Sequence, residues 1–337
     1  MKFSYAMIFS FLTAFSFNVM SIEQPAVIKA YCEKVDKSFK KYGWDKSECE
    51  SYSWLHYRNS VLGDPLMWTT FGDVSDEEMP SFKDKDVTIV MCGVHGDEIT
   101  PIKFCFDLMA YLKEVYSPNN KDEKVKEEFK NKVVLVSPIV NPDSFFKAKP
   151  TRVNARGVDP NRNFPTSDWQ LEARKIWLMK FKKDSRRNPG MKPNSEPEVV
   201  FQVNLIKRFN PDKIVSVHSP LTVLDYDGPS HPVNGGADGS KAQELLIQMS
   251  KDADGYNIKD YPFFPGSLGN WAGQERNIPT YTLELPSSDP RKNGEYWTLF
   301  KGAMHKVIVH SIRQQNVAKA PVTDEVPNPQ SPSLKPN

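Results

Sequence analysis

Unbroken apolar runs alternate with amphipathic segments through the middle of the chain. Such runs are typical of strands buried on both faces, and here they read DVTIVMCGV, KVVLVSPIV, KIVSVHS and TYTLEL. Helices are predicted at 102–112, 169–187, 241–252 and 294–314, and another follows Ser195. Because strands alternate with helices, the sequence predicts an α/β fold whose central sheet is largely parallel, with helices on both faces.

Two local patterns refine this prediction. The stretch SVLGDPLMWTTFG indicates a short hairpin ahead of the first buried strand. Ser195 and Glu198 stand at the spacing of a capping box before an amphipathic run. Ligands of such folds bind at the carboxyl ends of the parallel strands, where His95, His218 and the loop 141–165 all fall. We therefore expect the chemistry at that edge of the sheet.

The two ends of the chain depart from the alternating pattern. Lys2 precedes an apolar run at 6–15 that is short for a membrane span, and small residues before Ile22 suit a signal peptidase. We predict that 1–21 is a cleaved signal peptide; an uncleaved membrane anchor is the alternative. Residues 318–337 are rich in Pro and almost free of apolar side chains, which predicts a disordered tail. A single domain is then expected over 22–317.

Composition limits the partners and raises the question of disulfides. The 44 Lys and Arg residues nearly balance the 42 Asp and Glu residues, so no strong overall field attracts nucleic acid. Export would permit disulfides among the four cysteines. Cys32 and Cys49 are plausible partners, whereas Cys92 and Cys105 could form a bridge or remain buried thiols. The cysteines do not show the CxxC spacing of a zinc or redox site.

Candidate metal ligands lie at the ends of the apolar runs. His95 and Glu98 follow the first run, and His218 ends another. Two histidines and one carboxylate suit a catalytic zinc, because three protein ligands leave one position open. The HxxE pattern alone is weak evidence for a metal site, and a single histidine at a strand end more often has a structural role. Glu284 lies within an apolar strand, where a carboxylate without a partner is costly, so it is either paired or functional as a general base.

The loop 141–165 carries guanidinium and amide groups beside these ligands. These groups are the planar donors that bidentate capture of a carboxylate requires, and they belong to Arg152, Arg156, Arg162, Asn141, Asn154, Asn161 and Asn163. A solvated basic loop is the alternative interpretation. Asp159 could orient one zinc-binding histidine through the ring nitrogen that faces away from the metal.

The chain carries five short motifs in the order HGDE, NPDS, RVNARGVDPNRNF, SVHS and TLEL. In these motifs it resembles the zinc carboxypeptidases of the carboxypeptidase A type over roughly 55–310. The resemblance implies a mixed, largely parallel sheet and one Zn²⁺ in a His₂Glu site, a site type that is inherited from that family. The roles that it implies are zinc ligands (His95, Glu98, His218), general base and acid (Glu284), oxyanion partner (Arg152) and carboxylate clamp (Asn161, Arg162). Tyr261 resembles the family's mobile capping tyrosine, although an ordinary packed tyrosine is the alternative.

Departures from the family pattern are confined to loops. Ser144 replaces the usual glycine of NPDG, and Pro160 replaces a common aliphatic residue before the NRN stretch. Neither change touches an implied ligand. Leu268 resembles the floor of the specificity pocket and indicates no charge preference.

Within the family, RVNARGVDPNRNFP, SEPE, SVHSPL and PGSLGNW resemble the murein peptide amidase A group. This implies a periplasmic or secreted hydrolase that cleaves the γ-D-glutamyl to meso-diaminopimelate bond of cell-wall peptides, with no stable membrane span after signal cleavage. Two alternatives remain open: a general metallocarboxypeptidase acting on L-peptides, and a non-catalytic cell-wall-binding module. The oligomeric state stays undetermined.

Overall fold

The computed structural model describes residues 25–72, 82, 84–229, 239–313 and 321–323. The predicted signal peptide at 1–21 and most of the predicted tail at 318–337 lie outside these residues. None of the helices described is long and apolar enough to cross a membrane. Three tail residues, 321–323, are described: Val322 packs against the core, and Arg276 Nε donates to the carbonyl of Thr323 at 3.2 Å.

Strands and helices alternate as the apolar pattern predicts. The strands are β1 (Trp54–Asn59), β2 (Pro65–Phe71), β3 (Asp86–Cys92), β4 (Lys132–Ser137), β5 (Lys213–His218), β6 (Val223–Tyr226) and β7 (Thr280–Glu284). The α-helices are α1 (Ala26–Tyr42), α2 (Ile99–Val115), α3 (Glu123–Phe129), α4 (Pro142–Phe145), α5 (Arg174–Met179), α6 (Pro197–Phe209), α7 (Gly239–Asp252) and α8 (Asn293–Val309).

Within the described residues the strands form one seven-stranded mixed sheet in the order β1-β2-β4-β3-β5-β7-β6. Its centre is parallel, since β3 pairs in parallel with β4 and β5, and β5 pairs in parallel with β7. The edges are antiparallel, where β1 pairs with β2, β2 with β4, and β6 with β7. The predicted α/β class is confirmed.

Side chains of the central strands alternate between two apolar cores, one on each face of the sheet. In β3, Val90 and Cys92 join the larger core, whereas Ile89 and Met91 join the smaller one. Helices α1, α2, α7 and α8 cover the larger core, and α6 covers the smaller. Burial on both faces explains why these strands read as continuous apolar runs rather than as alternating ones.

Some local predictions differ from the structure. The hairpin is present, but its first strand, β1, precedes the predicted stretch. Helices α1 and α3 and strand β6 were not predicted, and 169–187 comprises a π-helical turn, the short α5 and a 3₁₀ turn. The capping box is wrong, because Glu196 precedes the helix and makes no side-chain cap bond. Ser195 instead bonds Glu196 at 2.7 Å, and Asn154 donates to Glu198 at 2.9 Å.

Two disulfides join the four cysteines. Cys32 of α1 bonds Cys49, and Cys92 of β3 bonds Cys105 of α2, with Cα atoms 5.4 and 6.3 Å apart. The first pairing was the one that the sequence favoured, and the second settles an open alternative. The Cys92–Cys105 bridge attaches α2 to the strand that leads to His95.

A buried ionic cluster joins the starting residues of three adjacent parallel strands. Asp86 of β3 contacts Lys132 Nζ of β4 at 2.7 Å and Lys213 Nζ of β5 at 2.6 Å, and Lys213 is fully buried. Burial alone would raise the pKa of Asp86, but the Lys213 and Lys132 ammonium groups outweigh it and hold that pKa well below its usual range. The resulting stabilisation is complete above the unfolded pKa of about 4 and is lost as the pH falls through the lower folded pKa.

We expect Asp86→Asn to lower the free energy of unfolding by about 3–5 kcal/mol, because it leaves two buried ammonium groups without their counter-charge. Glu123→Gln is the matched control, since Glu123 pairs with Lys126 at 2.9 Å on the exposed surface and should cost less than about 1 kcal/mol. Denaturant unfolding at neutral pH measures both. Equal small losses in the two variants would show that the cluster does not stabilise the sheet.

Candidate metal centre and active site

The ends of β3, β5 and β7 bring the predicted ligands and base together. His95 and Glu98 lie in the short turn between β3 and α2, and His218 is the last residue of β5. Glu284, the last residue of β7, is the register partner of His218 in the parallel pair. Gly93 has a φ of 62°, and a Cβ there would lie 2.9 Å from the side chain of Ile102, so the turn requires glycine.

Three buried side chains converge at this edge of the sheet. His95 Nδ1 lies 2.7 Å from Glu98 Oε1, and His218 Nδ1 lies 2.8 Å from Glu98 Oε2. The two Nδ1 atoms are 3.2 Å apart, and the ligand atoms of all three residues lie within 4.8 Å of one another. Both imidazoles therefore present the same ring nitrogen to a common point.

The opposite ring nitrogens are held by other residues of the site. His95 Nε2 lies 3.1 Å from Asp159 Oδ1, and His218 Nε2 lies 2.9 Å from Ser216 Oγ. A proton on each Nε2 leaves the Nδ1 lone pairs free for a metal. Two imidazole nitrogens and a carboxylate at this spacing fit Zn²⁺, which takes three protein ligands in catalytic sites.

Electrostatic coupling keeps Glu98 ionised. Burial would raise its pKa, but His95 and His218 outweigh that effect and hold the pKa of Glu98 well below its usual range. Burial and the Arg152 guanidinium would lower the pKa of His95, but Glu98 and Asp159 raise it above its usual value. The carboxylate is thus available as a metal ligand at neutral pH.

Arg152 connects the ligand group to the loop that carries the predicted clamp. Its Nε donates to Asp159 Oδ2 at 2.9 Å, and its Nη1 donates to Glu98 Oε1 at 3.2 Å. Burial would raise the pKa of Asp159, but Arg152 and His95 hold it well below its usual range. The ionised Asp159 carboxylate therefore holds both the Arg152 guanidinium and the His95 ring in place.

Asn161 and Arg162 lie beside this group in a 3₁₀ turn. Asp159 Oδ1 accepts from the Asn161 amide at 2.9 Å, and Asn161 Oδ1 accepts from the Leu268 amide at 2.8 Å. The Arg162 guanidinium lies 4.4 Å from the ring centroid of Phe264. Burial lowers the pKa of Arg162 to about 10, which leaves it charged at neutral pH. Its side chain lines the cavity, and its buried Nε has no acceptor among the residues described.

Glu284 faces the same space as the converged ligands. One carboxylate oxygen accepts from the Leu221 amide at 3.2 Å, and the side chain is partly buried. Burial raises the pKa of Glu284, with a further contribution from the charge of Glu98. A carboxylate with a raised pKa is a better proton acceptor than an exposed one.

A cavity of about 490 Å³ contains all the predicted site residues except Asp159, which supports it from behind. Tyr261 lines its wall, and the Lys259 ammonium lies 4.7 Å from the centroid of that ring. Its backbone amide donates to Asp225 Oδ1 at 3.3 Å. The structure thus brings every predicted site residue to one place.

Several polar residues of this cavity were not predicted from the sequence, among them Ser216, Asp225 and Asp227. Ser216 is two residues before His218 in the strand and so shares its face. Asp225 and Asp227 also line the cavity, from β6 and the residue beyond it. Their alternation with Leu224 and Tyr226 in VLDYD was a usable signal of period two.

Comparison with known proteins identifies the family. The model of the zinc carboxypeptidase family, peptidase M14, matches residues 55–294. The chain belongs to this family. It is therefore a zinc metallopeptidase, and the resemblance of its five motifs is confirmed.

The relatives within the zinc carboxypeptidase family include two curated amidases. Murein peptide amidase A of Escherichia coli K12 is 32% identical over 243 residues, which cover 69% of this chain and 82% of that protein. The protein of the same name from Vibrio campbellii is 30% identical over 233 residues, covering 68% and 78%. The solved carboxypeptidase A of Helicoverpa armigera has a TM-score of 0.58 at 16% identity, covering 84% of this chain and 72% of that one, and supports the fold.

We expect Asp159→Asn to weaken zinc binding about 10–100-fold, because the amide no longer fixes the His95 ring as an ionised carboxylate does. Asp45→Asn, at an exposed position, is the control. Titration of metal-free protein with zinc against a competing chelator gives both affinities. An unchanged affinity in Asp159→Asn would contradict an orienting role for this residue.

Proposed function

We propose that the protein is an exported zinc-dependent amidase that hydrolyses peptidoglycan-derived peptides at the γ-D-glutamyl to meso-diaminopimelate bond. The observation that carries this proposal is the convergence of His95, Glu98 and His218 beside Glu284 in one cavity lined by arginines. Similarity to two murein peptide amidases supports the substrate class. The acidic and basic walls of the cavity suit a peptide with several charged groups.

In the proposed reaction His95, Glu98 and His218 hold one Zn²⁺. When bound, zinc supplies Lewis-acid chemistry, since it polarises a carbonyl and lowers the pKa of water. Glu284 accepts the proton of the attacking water and then delivers it to the leaving amine. Arg152 stabilises the negative charge that develops on the carbonyl oxygen.

The clamp residues orient the peptide on the far side of the bond that is cut. Asn161 and Arg162 bind a carboxylate of the departing residue, and their place in the cavity wall beside the converged ligands supports this role. Tyr261 lies on the cavity wall, where its phenol can cover the bound peptide. Binding the substrate in this way holds the bond that is cut in a fixed position relative to the attacking water.

Export is supported by the two disulfides. Cys32–Cys49 and Cys92–Cys105 would persist in an oxidising compartment such as the periplasm, and they are rare in the reducing cytosol. The apolar run at 6–15 is the expected core of the signal peptide. Both features therefore support an exported protein.

We expect Glu284→Gln to retain zinc but to lose about 10²–10⁴-fold in turnover, because glutamine cannot accept the proton of water. Glu50→Gln, on the exposed surface, should keep both properties. Metal analysis and initial rates on the same preparations separate the two effects. Near-normal turnover by a zinc-loaded Glu284→Gln variant would exclude Glu284 as the base.

Mass spectrometry of digested muropeptides tests which bond is cut. The proposed amidase releases diaminopimelate or a peptide that begins with it, and leaves the L-alanyl-D-glutamate portion intact. Removal of single C-terminal residues from ordinary L-peptides at a higher rate would favour a general carboxypeptidase, for which Leu268 on the cavity wall is suited. Binding to cell walls without cleavage of either substrate would indicate a non-catalytic module.

A further inference from the structure

The segment 169–192, which follows the loop of the carboxylate clamp, carries a cluster of exposed apolar side chains. Among the residues described, ten large apolar side chains are exposed, and four of them lie in this segment: Leu171, Leu178, Met179 and Met191. Helix α5, within the segment, has no buried residue. Single apolar side chains are common on protein surfaces, but a cluster of this kind usually marks a contact with another molecule.

The four apolar side chains belong to one patch. Leu171 and Leu178 lie seven residues apart along the π-helical turn and α5, so they share one face of this helical stretch. Arg174, between them, donates from Nη1 to the Gly190 carbonyl at 3.1 Å, and the same nitrogen lies 2.9 Å from Met191 Sδ. Met191 is therefore held against the helical stretch, on the side where the two leucines lie.

The same segment is strongly basic, with eight Lys and Arg residues against two acidic ones, although the whole chain is nearly balanced. Some of these cations are paired, as Lys175 with Glu172 at 3.2 Å and Arg186 with Asp97 at 2.6 Å. Four exposed lysines have no ion pair with the residues that the structure describes, namely Lys180, Lys182, Lys183 and Lys192. Free positive charge therefore surrounds the apolar patch.

The chemistry of the exposed side chains indicates which kind of surface they meet. The exposed apolar groups are leucine and methionine, whose flexible chains suit hydrocarbon. The aromatic side chains of the segment are at least partly buried: Trp169, Trp177 and Phe181. A sugar polymer would be contacted by aromatic faces, whereas lysines around aliphatic side chains complement a surface that carries phosphates above and hydrocarbon below.

We propose that the segment 169–192 docks the protein on the surface of an anionic phospholipid bilayer. The free lysines contact lipid phosphates, while Leu171, Met179 and Met191 insert below the headgroups. The segment lies on the bilayer and does not cross it. Because the segment also lines the active-site cavity, through Arg186, docking brings that cavity close to the membrane. This inference does not depend on the substrate proposed above.

The first test measures the contribution of charge by sedimentation with vesicles of phosphatidylcholine that contain one-third phosphatidylglycerol. The unaltered protein should bind these vesicles about tenfold or more tightly than pure phosphatidylcholine, and high salt should weaken the binding. The affinity should fall about tenfold or more in the triple variant Lys180→Gln, Lys182→Gln and Lys183→Gln. The control makes the same change of charge on α1, at the exposed Lys29, Lys37 and Lys40, and should bind like the unaltered protein.

The second test measures insertion on the same vesicles. Leu171→Ser combined with Met179→Ser should lower the affinity about tenfold or more, because two side chains that enter the hydrocarbon are lost. The matched control is Leu62→Ser with Ile247→Ser, since both residues are exposed and lie outside the segment. Thermal unfolding at the midpoint of the unaltered protein shows that each variant is folded.

Several results would overturn the proposal. Equal losses in the two triple lysine variants would show that net charge, and not this segment, attracts the vesicles. Full binding by the Leu171→Ser and Met179→Ser pair would show that the apolar patch does not insert. Binding to isolated peptidoglycan sacculi, lost in the same variants and without binding to vesicles, would assign the segment to the wall polymer instead.

Discussion

The parallel alignment of β3, β5 and β7 is the constraint on which the rest of the site depends. Parallel neighbours end at the same edge of a sheet, so residues far apart in sequence meet there. His218 and Glu284 are register partners across β5 and β7, and the turn after β3 presents His95 and Glu98 beside them. A slip of one residue in β5 would turn His218 toward the opposite apolar core.

Charge is arranged around this edge so that each ionised group has a defined partner. Asp159 is the link between the two halves of the site, because it contacts both the His95 ring and the Arg152 guanidinium. Arg152 in turn contacts Glu98, which joins both histidines. The ionic cluster of Asp86 at the opposite ends of the strands keeps β3, β4 and β5 aligned by the same principle.

The central strands could be predicted from the sequence, because burial on both faces leaves an unmistakable apolar run. The proposed metal ligands could also be located in the sequence, since His95 and Glu98 follow the end of one apolar run and His218 ends another. The sequence did not predict α1, whose apolar positions are widely spaced among lysines, nor β6, which is only four residues long. Ser195 formed no capping box because Pro197 already begins the helix and Asn154 takes the Glu198 carboxylate. Asp225 and Asp227 were not predicted as cavity residues, because the first lies within the unpredicted β6 and the second directly follows it.

Anomalous X-ray diffraction from crystals of the zinc-loaded protein, recorded on both sides of the zinc absorption edge, shows directly which atoms of the converged site bind the metal. We expect one strong zinc peak within about 2.2 Å of His95 Nδ1, His218 Nδ1 and a Glu98 oxygen, with the Glu284 carboxylate facing it. A peak bound through the Nε2 atoms, a peak elsewhere in the molecule, or full zinc binding without the histidines would contradict this expectation.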